Sequence, residues 1–251
     1  MLADRLYQRI PVSIKHGMRS TLMRILRRRM TAHFSRFISP GDLVFDVGAN
    51  VGDLTDIFLR LGARVVCVEP QPYCIAILKH KFSRNPNVVI VEKGLNHQEG
   101  QLPFYVSSLD HPTSTFSKEM FTNSRYHTRV WDRTIEVPMT TLDHLIAQFG
   151  TPTFCKIDVE GFELEVLQGL RSPVPALSFE FLREFLEDAR VCAQRLASSG
   201  NVTFNYSLYI TYAMRSDRWF SYDELFHELE FKANGYVHRY LSGDIYARIE
   251  S

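Results

Sequence analysis

The stretch VFDVGANVG, residues 44–52, decides how the rest of the chain is read. An apolar run ends in Asp46, and Gly48 and Gly52 follow. After them DLTDIFLRLG (53–62) has helical spacing and stops at Gly62. Strand, glycine turn and helix in that order open an α/β unit. Outward from it, RVVCVEP (64–70) predicts a second strand closed by Pro70. PYCIAILKHKFS (72–83) predicts a helix with Pro at its start, and NVVIVEKGL (87–95) a third strand. Val/Ile runs separated by helices predict parallel strands covered on both faces, a doubly wound α/β sheet.

The second half continues the alternation. QLPFYVS (101–107) is a strand, and RTIEVPMTTLDHLIAQFG (133–150) an extended segment and a helix. TFCKIDVEG (153–161) is a buried strand ending in acids, followed by a helix over FELEVLQGLRS (162–172). PALSFEFL (175–182) is the next strand, and a helix runs from it to near Gly200. NVTFNYSLYI (201–210) and GDIYARIE (243–250) are the last strands, with a helix over 221–235 between them. No repeat or low-complexity linker interrupts this order.

A chain of 251 residues with 45% hydrophobic content suits one domain of ordinary size. Net charge is +1, but residues 1–40 carry nine Lys and Arg against one acid, Asp4. The rest of the chain holds 20 basic and 27 acidic residues. The expected division is a basic helical arm over 1–39 and a domain over 40–251. In the arm, Met18, Leu22, Ile25, Leu26 and Met30 recur at helical spacing. Such a helix either packs on its own domain or meets a membrane, a nucleic acid or a second subunit. Cys67, Cys74, Cys155 and Cys192 show no metal-site spacing, and no apolar stretch reaches the roughly 18 residues of a membrane span. A reducing, cytoplasmic setting is expected.

The first strand and turn carry chemistry. Ligands of doubly wound sheets sit at the carboxyl ends of the strands. Gly48 and Gly52 are expected to let the backbone approach a ligand there, and Asn50 to donate into the same space. The helix after Gly52 points its positive dipole end at the crevice. Glu69, ending the second strand, suits the hydroxyls of a ribose. The spacing is not the GxGxxG fingerprint, since Ala49, Asn50 and Val51 separate the two glycines, so a nicotinamide dehydrogenase is disfavoured. Asp46 disfavours a pyrophosphate and attracts a cation. S-Adenosylmethionine, with a ribose, an amino-acid end and a sulfonium, meets all of these demands.

FDVGANVG (45–52), Glu69-Pro70, KIDVEGFELEVLQGL (156–170) and GDIYAR (243–248) resemble the FkbM family of class I methyltransferases, as does VPMTTLDHL (137–145). The resemblance runs from about Pro40 to the end and leaves the basic arm outside it. It implies a Rossmann-like seven-stranded sheet, mostly parallel with an antiparallel last strand. It implies a cofactor site at Asp46, Gly48, Asn50, Gly52 and Glu69, with Gly94 and Leu95 beside the adenine.

Asp158 and Glu160 are expected on one side of the strand end, beside the sulfonium. Two carboxylates in one apolar crevice raise at least one pKa, which suits a general base for a hydroxyl. The bland alternative gives Asp158 to the cofactor's amino end and makes Glu160 a cap for the next helix. Lys156 is placed to pair with one of the acids. Two carboxylates make a poor Mg²⁺ set, so no metal is expected. The polar stretch 107–130 is long for a connection and reads as a lid over the acceptor, with His111 as a further candidate base. The expected activity is O-methylation of a small-molecule hydroxyl, on a sugar or secondary metabolite. The competing readings are an RNA methyltransferase gripping through Arg27-Arg28-Arg29, disfavoured by the acidic body, and a non-catalytic cofactor-binding protein.

Overall fold

The computed structural model describes residues 24–107, 114–117, 130–208, 212–234 and 242–250. The described chain opens with a helix over 24–34 (α1). A seven-stranded sheet follows, built from β1 (Leu43–Val47), β2 (Arg64–Val68), β3 (Val88–Val91), β7 (Phe154–Ile157), β8 (Ala176–Leu182), β9 (Asn201–Leu208) and β10 (Ser242–Glu250). Its order is β3-β2-β1-β7-β8-β10-β9. All pairings are parallel except those of β10, which runs antiparallel to both neighbours. The strand order reverses between β1 and β7, which opens a crevice at their carboxyl ends.

Alternation along each strand splits the core. Leu43, Phe45 and Val47 face one way, against α4 (Leu142–Phe149), α5 (Glu163–Gln168), α6 (Leu186–Ala197) and α7 (Tyr222–Asn234). Val44, Val65 and Phe154 face the other way, against α1, α2 (Asp53–Arg60) and α3 (Pro72–Phe82). Helices therefore cover both faces, as the continuous apolar runs require.

The structure adds a second, three-stranded sheet that the sequence reading did not separate. Its order is β4-β6-β5, from β4 (Gly94–Leu95), β5 (Gly100–Val106) and β6 (Arg133–Thr140). The predicted third strand over 87–95 is thus two strands, and its last two residues pair with Met139 and Thr140. Phe104, Val106, Val137 and Met139 form a small core beneath this sheet.

The described part of the arm, residues 24–39, packs on its own chain. Phe34 is fully buried, edge-on to Phe58 at 5.0 Å between centroids. Phe37 stacks on Tyr246 at 5.4 Å and on Phe154 at 4.9 Å. Leu26 and Met30 face inward, but Ile25, assigned to the same apolar face, is exposed. Met18 and Leu22 lie outside the described residues. Among the described residues no helix is long and apolar enough to cross a membrane.

Candidate active site

A cavity of about 690 Å³ lies over the carboxyl ends of β1, β2 and β7. Asp46, Gly48, Asn50, Glu69, Gly94, Leu95, Asp158 and Glu160 all line it. Its size falls within the roughly 300–1,000 Å³ of small-molecule sites.

Asp46 is buried and accepts a 2.5 Å hydrogen bond from the Thr55 hydroxyl on α2. Burial pushes its carboxyl up to about 6, against the Thr55 hydrogen bond and the charge of Lys156. Glu69 is also buried, and its two oxygens accept the backbone N–H groups of Asn50 at 2.8 Å and Gln71 at 2.9 Å. Burial pushes it up to about 7 despite those donors. The β2 acid thus fixes the turn after β1 as well as facing the cavity. Asn50 holds a positive φ of 49°, and its side-chain carbonyl accepts the Cys74 thiol at 3.4 Å.

The two turn glycines act on protein neighbours. Gly48 has φ 79°, and a Cβ there would stand 1.7 Å from the Asp158 carbonyl oxygen. Its bareness lets the chain leaving β7 cross the turn. Gly52 does not line this cavity. A Cβ on it would press on Phe82 and Leu78 of α3, at 2.6 and 2.7 Å. Gly94 lines the cavity, and a Cβ on it would press on the ends of the Met139 and Phe116 side chains, each 2.7 Å away.

Asp158 and Glu160 do converge. Asp158 follows β7 directly, its N–H donating to the Val47 carbonyl at 2.9 Å. Lys156 is buried and reaches Asp158 at 3.2 Å and Asp244 of β10 at 3.1 Å. Burial works against the Lys156 charge, but Asp158, Asp244 and Glu180 outweigh it and hold the ammonium charged well above its usual range. Glu160 sits in the turn with φ 54°. Burial first, then the charges of Glu180, Asp158 and Glu163, push its carboxyl well above the ordinary range. It therefore keeps its proton where a free glutamate has lost it.

Glu180 of β8 is the residue the sequence reading missed. Ligand atoms of Asp158, Glu160 and Glu180 lie within 4.8 Å of one another, so three carboxylates share the site rather than two. Its signal was alternation: Ser178 and Glu180 interrupt the apolar ALSFEFL on one face. Glu160 does not cap α5, which has no side-chain cap; Glu163, its first residue, instead ties down the preceding turn, its Oε1 accepting the N–H groups of Val159 at 3.1 Å and Gly161 at 3.3 Å.

Of the predicted lid, Ser107, 114–117 and Val130 are described. His111, Asn123, Tyr126 and His127 lie outside the described residues. The described piece is tied over the cavity. The Gln71 amide donates to the Ser114 hydroxyl at 3.1 Å, and the Thr115 hydroxyl donates to the Glu160 carbonyl at 2.8 Å. Phe116 packs between Phe104 and Phe162, at 4.6 and 5.3 Å between centroids.

The chain is similar to known methyltransferases. It is 28% identical over 145 residues to the hexuronic acid methyltransferase AglP of Haloferax volcanii, spanning 55% of this chain and 54% of that one. Over 54 residues it is 31% identical to a probable ribosomal RNA small subunit methyltransferase A of Methanosarcina acetivorans, covering 22% of this chain and 20% of that one. The chain thus spans about half the length of the first relative and a fifth of the second. Among solved structures, a putative rRNA methylase from Clostridium thermocellum superposes with a TM-score of 0.45 at 11% identity, covering 88% of this chain and 94% of that one. The Methyltransferase FkbM domain model matches residues 46–230. The chain belongs to the FkbM family of methyltransferases.

Proposed function

We propose that this protein transfers a methyl group from S-adenosylmethionine to a hydroxyl of a small molecule, a sugar or secondary metabolite. The observation that carries the reading is the Asp158 carboxylate, facing the cavity at the switch point and anchored from behind by Lys156, which is itself paired with Asp244.

The lining fits the cofactor. Glu69 keeps a second lone pair on each oxygen for ribose hydroxyls, and Asp46 with Asn50 offers an acidic and amide corner for the amino-acid end. Gly94 and Leu95, in the cavity lining, are the proposed neighbours of the adenine. S-Adenosylmethionine supplies an electrophilic methyl on a positive sulfur.

The chain's own residues do the rest. Asp158 takes the proton of the acceptor hydroxyl, and Lys156, 3.2 Å away, holds that carboxylate in place at the cavity. Glu160, holding its proton, donates a hydrogen bond toward the acceptor. Phe116 and the segment 114–117 exclude water and align the reacting groups. His111 is a second candidate base from the 107–130 lid, and the arm over 1–39 is a candidate contact between subunits. The hexuronic acid specificity of the Haloferax relative supports a sugar acceptor.

Methyl-labelled S-adenosylmethionine tests the reading against a panel of neutral and acidic sugars. The expected result is label on a sugar oxygen. Cofactor binding with no transfer to any hydroxyl would favour a non-catalytic cofactor-binding protein.

A further inference from the structure

Tyr212 stands in the wall of the main cavity together with Asp53, Asp158 and Glu160. It belongs to the segment that returns along β9. There Met214 bridges to Ser207, and the Arg215 N–H donates to the Tyr206 carbonyl at 2.9 Å. The Tyr212 φ is 43°, in the left-handed region that bulky side chains rarely adopt and that only firm surroundings maintain. α1 supplies part of those surroundings. The Tyr212 ring meets His33 at 6.3 Å and Phe34 at 6.5 Å between centroids, and both of those residues are buried. The docked arm thus fixes a ring that borders the cavity.

Its hydroxyl is not spent on the fold. Tyr206 and Tyr246 are fully buried, and each donates to a carboxylate, Glu228 at 3.2 Å and Asp244 at 3.4 Å. Buried tyrosine hydroxyls ordinarily find such a partner. The Tyr212 hydroxyl has none among the described residues. It nevertheless lies in the field of Asp244, Lys156 and Asp158. Burial first, then the Asp244 charge, push its phenol above the ordinary range, so it keeps its proton and can donate. A donor and a base that border one cavity without bonding to each other suit a ligand with two oxygens. One oxygen gives its proton to Asp158, and the other accepts from Tyr212.

We propose that the Tyr212 hydroxyl donates a hydrogen bond to a second oxygen of the methyl acceptor, beside the hydroxyl that Asp158 deprotonates, so that the acceptor is a polyol. The proposal rests on the methyl-transfer reading above and adds the residue that orients its acceptor.

The test is initial-rate kinetics of the full chain and of Tyr212→Phe, with methyl-labelled S-adenosylmethionine and with glucose, galactose, mannose and glucuronate as acceptor probes. On each sugar that the parent methylates, the variant is expected to lose about tenfold or more in acceptor kcat/KM, the size of one hydrogen bond lost, while calorimetric affinity for S-adenosylmethionine stays within about twofold. Phenylalanine keeps the ring and its packing on His33 and Phe34, so the thermal unfolding midpoint should match the parent's. A purely structural role would instead move the midpoint and the cofactor affinity along with the acceptor term. An unchanged acceptor kcat/KM, or a loss confined to cofactor affinity, would overturn the proposal. So would a parent that binds S-adenosylmethionine and methylates none of the four sugars. A parent that does not bind S-adenosylmethionine at all strikes the methyl-transfer reading itself, and this assignment with it, before any substitution is made.

Discussion

Asp158→Asn is expected to lower kcat by about 10²–10⁴-fold, the range that a positioned general base contributes. Asparagine matches aspartate in shape, keeps an oxygen for Lys156, and cannot take a proton. Lys156 also retains Asp244 at 3.1 Å, so the buried ammonium is not orphaned and the fold should hold. Cofactor affinity should change only a few-fold. The split between kcat and binding separates the two roles open to this residue. If the variant turns over at full rate once saturated but binds the cofactor weakly, Asp158 is a cofactor ligand and the base lies elsewhere, with His111 next in line.

Gly48→Ala is expected to destabilise the protein by about 3 kcal/mol or more, since a left-handed alanine alone costs about 1–2 kcal/mol and a backbone clash adds to it. The clash is with the Asp158 carbonyl, 1.7 Å from the new Cβ, and backbone yields less readily than a side chain. The chain leaving β7 must move, and Asp158 moves with it. Urea unfolding measures the stability loss, and the kcat of the surviving folded fraction should fall too. An unfolding midpoint within error of the parent would show that the turn relaxes freely and that Gly48 does not fix Asp158.

The sheet was legible because its strands are apolar on both sides, and Val/Ile runs such as Arg64–Val68 announce that directly. The second sheet was not. Gly94–Leu95 is too short to show a period, and β5 and β6 are separated by the 107–130 insert that hides their pairing. At the site, residue types were readable but neighbours were not. Sequence marks Gly52 as a turn glycine, yet only the packing shows that its missing side chain makes room for α3. Lys156 was placed correctly beside an acid, since strand alternation sets it near Asp158. Asp244, about 90 residues downstream, reaches it only because β10 inserts antiparallel beside β8. Glu180 entered the site by the same long-range register.

The most direct test is calorimetric titration of S-adenosylmethionine and of NAD into the protein across a pH series. S-Adenosylmethionine should bind and NAD should not. Burial raises Asp46 to about 6 and Glu69 to about 7 in the free protein. A cationic ligand with hydroxyl donors favours both carboxylates in their charged form, so binding releases protons. Affinity should therefore climb as pH rises through both values, from about pH 5 to about pH 8, and level off above. Binding of NAD with none of S-adenosylmethionine, or an affinity that falls over the same interval, would contradict the assignment of this crevice.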